Sequence, residues 1–107
     1  MATYANTSYV AKDVGTSASS LVTVPSGTIA IASLIVSNTT TSPITTSVYF
    51  TRSAVNYFLV KDAVIAVGGA LEVIQGNRVV LIAADTLRVI NSAAASGDCV
   101  VSALTAV

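Results

Sequence analysis

The stretch TIAIASLIVSN, residues 28–38, decides how this chain is read. Its apolar residues are β-branched or small, and they alternate at period two with no long helix formers among them. Ile29, Ile31, Ser33 and Ile35 are expected on one face of a strand, and Ala30, Ala32, Leu34 and Val36 on the other. A strand that is apolar on both faces is expected to lie centrally in its sheet or to be covered twice. Pro25-Ser26-Gly27 precedes it and TTTSP, residues 39–43, follows it, both of turn-forming composition.

Working outward, residues 7–14, 21–24, 44–52, 57–66, 71–74, 78–82, 86–92 and 99–107 read as further short strands. Gln75-Gly76-Asn77 reads as the turn of a hairpin joining 71–74 to 78–82. Strands about ten residues apart, with Gly and Pro between them and no βα alternation, define an all-β fold. The expectation is a single-domain β-sandwich, jelly-roll-like or immunoglobulin-like, spanning residues 1–107. Residues 1–8 are expected to serve as an N-terminal arm that docks on a neighbour.

Composition narrows the function. Five Lys/Arg balance five Asp/Glu among 107 residues, and only 9% of the chain is charged, against about 25% in an ordinary domain. A neutral chain has no basic field to gather phosphates, so no nucleic-acid partner is expected. The absence of His excludes His-based catalytic triads and His-ligated metals within the chain, and a single Cys excludes an internal disulfide or a Cys-rich zinc site. The longest apolar run, residues 79–84, is far short of the roughly 20 residues that span a bilayer. The opening MATYANTSYVAKD lacks the basic start and apolar core of an export signal. The Asn-x-Ser/Thr triplets at Asn6 and Asn38 are therefore read as chance matches. With 53% apolar residues and no net charge to hold copies apart, part of the surface should be covered. A homo-oligomer is expected, with a trimer favoured, and no membrane partner.

The acidic residues Asp13, Asp62, Glu72, Asp85 and Asp98 are scattered and form no D-x-D-x-D run, so neither catalysis nor a cation site is expected. Asp85 and Asp98 are expected to accept backbone N–H bonds at corners. No enzyme activity and no cofactor are expected. Arg52, Arg78 and Arg88 are candidate interface anchors, together with Tyr4 and Tyr9 in the arm. Phe50 and Phe58 are expected in the core, and Cys99 is expected to be a small buried hydrophobe.

The run YFLVKDAVIAVGGALEVIQGNRVVLIAADTLRV, residues 57–89, with the small-residue loop and Val-rich strand after it, resembles a group of small phage virion proteins. The matching positions are residues 59–62, Gly68-Gly69, residues 76–81 and residues 85–87. Ala84 departs from the pattern where a Gly is usual, as do Val64 and Ala66 where Pro is common. The resemblance implies a virion protein made in the host cytoplasm. Its implied role is a capsid decoration or cement protein that bridges major capsid subunits, with a tail or baseplate accessory as the alternative. A glycan-binding sandwich module, built on exposed Tyr49 and Tyr57, is the alternative from a different class.

Overall fold

A computed structural model describes residues 4–74 and 79–106. The strands are β1 (Tyr4–Val14), β2 (Ser19–Thr23), β3 (Thr28–Asn38), β4 (Ile44–Arg52), β5 (Val55–Ile65), β6 (Ala70–Glu72), β7 (Val79–Ile82), β8 (Thr86–Asn91) and β9 (Gly97–Ala106). The pairing is that of a long ribbon folded over on itself. Antiparallel pairs β1–β9, β2–β8, β3 with β6 and β7, and β4–β5 run from the chain ends inward. Folding the ribbon adds β3–β9 and β4–β8. The result is two antiparallel sheets, β1-β9-β3-β6 with β7 also on β3, and β2-β8-β4-β5. This is the all-β sandwich expected, with the nested strand order of a jelly roll.

The inner faces supply one core. Ile31, Leu34, Val36, Leu81 and Val101 come from the first sheet, and Val22, Val48, Leu87 and Val89 from the second, all fully buried. A close backbone approach locks one end of the sandwich. A Cβ on Gly97 would stand 2.4 Å from the Ser37 carbonyl oxygen and 2.8 Å from Asn91 Nδ2, so no other residue fits there without backbone displacement.

Two expectations about strands are corrected. Residues 71–74 and 78–82 do not form a hairpin. β6 and β7 both pair with β3, β6 at residues 35–37 and β7 at residues 28–31. Eleven residues of β3 present one long free edge, which two short strands fill in succession, and alternation looks the same in both arrangements. Residues 75–78 lie outside the described residues. The face assignment along β3 also changes halfway. A register shift lies between Ile31 and Ser33, with Ala32 as the extra residue. Ile29 and Ile31 therefore face the core, as do Leu34 and Val36. The strand is central, but its second face, with Ala32 and Ile35, is open to solvent. A bulge inverts the alternation, which is why both parities looked apolar.

Bulges also mark the free outer edges. Asp13 and Asp62 adopt left-handed φ values of 54° and 52°. Asp13 lies within the register shift of β1 against β9, and Asp62 within that of β5 against β4. Each follows a Lys, at Lys12 and Lys61. A charged bulge in an edge strand interrupts the row of free backbone groups and limits uncontrolled pairing. Of the expected docking arm, residues 4–8 run within β1 along β9, and residues 1–3 lie outside the described residues.

Candidate assembly surfaces

The most heavily buried charge sits at a corner. Asp85, 1% exposed, lies between β7 and β8. Its carboxylate accepts the Ile82 N–H at 2.9 Å and two donors of Arg52, Nε at 2.9 Å and Nη2 at 2.6 Å. Its backbone carbonyl accepts the Val24 N–H, and the Val24 carbonyl accepts the Ala84 N–H. The corner thus ties β7, β8, the end of β4 and the turn after β2 together. The Arg52 hydrogen bonds hold the Asp85 carboxyl below its ordinary value, with the Ile82 N–H adding to the effect against the opposing cost of burial. Asp98 accepts the Asp13 N–H at 3.0 Å. Asp85 therefore serves a corner in the way its sequence context suggests, whereas Asp98 lies within β9 and its carboxylate meets the β1 bulge rather than a corner of its own segment.

The proposed interface residues do not converge. Arg52 is committed to Asp85 and lies over the Phe50 ring at 5.2 Å. Arg88 donates to Thr51 Oγ1 at 2.7 Å on the outer face of the second sheet. Tyr9, opposite Val101, packs against the core. Tyr4 begins β1, opposite Ala106. Arg78 lies outside the described residues. Among the described residues no group of three or more His, Cys, Asp or Glu stands where it could hold a metal ion.

Exposure shows a signal that periodicity missed. The exposed large apolar side chains sort into two places. Val10, Ile35, Val80, Ile82 and Val100 lie on the open face of the first sheet. Val55, Tyr57, Phe58 and Val64 lie on β5, the free edge of the second sheet, with Val67 in the loop just after it. Phe58, expected in the core, is 46% exposed. The register shift beside Val48 turns Tyr49 and Phe58 outward together, with ring centres 4.9 Å apart. Phe50 does pack against the core and stacks on Tyr57 at 5.3 Å. Alternating patterns in two separate strands cannot reveal which of their residues pair, so the two patches become visible only in the folded chain.

Cys99 is fully buried in β9. Burial alone pushes its thiol up to about 12. The reactive thiolate is therefore scarce, and the sulfur packs as the small hydrophobe expected.

No family model and no curated protein matches the chain. A solved structure is similar in fold, described in the words "Bacillus endospore appendages form a novel family of disulfide-linked pili". It is 17% identical, with a TM-score of 0.62, and the match covers 100% of this chain and 91% of that one. The likeness confirms the β-rich architecture. It overturns the expectation of a phage capsid decoration or cement protein, because the fold found belongs to a bacterial pilus and not to a virion shell.

Proposed function

We propose that this chain is the structural subunit of a pilus-like filament made of its own copies. The observation that carries the reading is that the exposed large apolar residues gather on the open face of the first sheet and along the edge strand β5. A linear polymer needs at least two contact surfaces per subunit, and a monomer has no use for either. Zero net charge removes long-range repulsion between copies. The similar pilus fold supports the same reading.

The filament is held without disulfides through these residues. The single thiol, Cys99, is buried in the core and shielded from a neighbouring chain. In this respect the proposed assembly differs from the disulfide-linked pili of the similar structure. A scaffold of this kind calls for shape and apolar contact, not for catalytic groups or a cofactor.

The test is negative-stain electron microscopy of the purified chain over a concentration series, with and without excess dithiothreitol. Unbranched filaments that persist in the reductant are expected. Globular particles alone at every concentration would sink the reading, and filaments that dissolve in reductant would sink its disulfide-free form.

A further inference from the structure

The open face of the first sheet has a distinct relief. Val10, Val100 and Ile35 stand side by side in register across β1, β9 and β3 and form an exposed ridge. Two residues along the strands, Ser8, Ser102 and Ser33 form the next row. Ser8, Ser102 and the bulged Ala32 floor a hollow of about 320 Å³, bordered by Asn6 and Leu104. Beyond it, Leu104, Ala30 and Val80 make a third, apolar row. Glu72 on β6 continues the ridge row beside Ile35 and accepts from Ser33 Oγ, the Lys12–Asp98 ion pair stands one row beyond the ridge, and the row residues from β1, β9 and β3 named here carry no charge.

We propose that this face is covered by the same face of a second copy, about a two-fold axis that runs across the strands between the ridge and the hollow. The proposal rests on the reading of the chain as a self-assembling subunit and names one of its contacts. Ridge and hollow lie about 7 Å apart, two residues of strand. An axis midway between them seats the ridge of each copy in the hollow of the other, which is the self-complementarity an isologous contact requires. Strands related in this way stay aligned, as stacked twisted sheets prefer.

Charge and area point to the same occupant. The rows of β1, β9 and β3 that meet their own copies are uncharged, and the chain as a whole carries no net charge to hold the copies apart. Four strand positions at about 4.8 Å and ten residues at about 3.4 Å give a face of roughly 650 Å². Two such faces bury about 1,300 Å², within the range of specific interfaces. The β5 patch remains free to extend a dimer into a chain of dimers.

Sedimentation equilibrium of the soluble protein tests the contact. The unmodified chain is expected to form a two-copy species at micromolar concentration. Ser102→Lys places a charge in the hollow at an exposed position and should weaken that species about a hundredfold. Val64→Lys, on β5, should leave it unchanged. Circular dichroism checks that each variant folds. If Ser102→Lys does not fold, Val100→Thr, which keeps a β-branched side chain but removes the apolar ridge, should weaken the species about tenfold. A monomeric unmodified chain overturns the proposal, and so does a folded Ser102→Lys or Val100→Thr variant that dimerises as tightly. Filaments that form despite a disrupted face would overturn this contact and leave the filament reading intact. A two-copy species that never extends would do the reverse.

Discussion

The two sheets share one core but present opposite outer faces. On the second sheet the outward side chains bond to one another. Arg88 donates to Thr51, Thr51 donates to Asn56 Oδ1 at 2.8 Å, Tyr49 lies against Phe58, and Lys61 stands 5.2 Å from the Phe58 ring centre. On the first sheet the outward rows over β1, β9 and β3 are mainly Val, Ile, Ala and Ser, and polar contacts, Ser33 to Glu72 and Lys12 with Asp98, flank the Val and Ile ridge. The middle of the second sheet is bonded within the chain, while its β5 edge and the open face of the first sheet leave apolar side chains to be covered. The lesson is that stability and assembly are written on different faces of the same strands.

Core substitutions should treat the sheets alike. Leu34→Ala in the first and Leu87→Ala in the second each remove a fully buried side chain. Each should lower the unfolding free energy in urea by about 3 kcal/mol. A large inequality between them would break the idea of one shared core.

Asp85→Asn should cost about 2 kcal/mol, because the Arg52 pair loses its charge and the Ile82 N–H loses a strong acceptor. The pH dependence has a definite sign. The folded carboxyl is held below its ordinary value of 3.8, so its contribution is complete above that value. It is lost as pH falls through the lower, folded value. Urea midpoints measured from about pH 5 downward should fall in the unmodified chain and fall less steeply in Asp85→Asn. Parallel profiles would remove the corner from the account of acid sensitivity.

The β4–β5 turn offers a gain instead of a loss. Ser53 and Ala54 occupy left-handed φ values of 52° and 63°, the geometry that Asn-Gly favours in a two-residue hairpin. Replacing both with Asn-Gly should raise stability by about 1 kcal/mol, read as a higher thermal midpoint. The smallest effects separate the outer faces. Arg88→Ala should cost about 0.5 kcal/mol through the lost Thr51 bond on a partly exposed face. Val80→Thr, on the first sheet, should leave monomer stability within about 0.5 kcal/mol and change only self-association.

Much of the sandwich was legible in local sequence. β3 and β4 run over the residues expected, because Pro, Gly and Asn bound them and their alternation is strong. The Asp85 corner was legible because an Asp at a strand end accepts nearby N–H groups whatever the fold; the bond from the Asp13 N–H to Asp98 spans 85 residues and was not. The Arg52 partner of Asp85 was not, since 33 residues separate them. The assembly surfaces were the least legible. Tyr4, Tyr9, Arg52, Arg78 and Arg88 were singled out by residue type, whereas the exposed patches are built from ordinary Val, Ile and aromatic residues.

Sequence alone determined that this chain is all-β, neutral, short of charge and without the groups for His-based chemistry, because composition and period-two patterning act locally. Tertiary structure alone decided which parity faces inward, since an inserted residue, as at Ala32 or Asp62, reverses the side chains beyond it up to the next register shift. It also decided that β6 and β7 share β3, and that Val10, Val100 and Ile35, from three distant segments, stand in one ridge. Strand register is a property of pairs, and no single segment carries it.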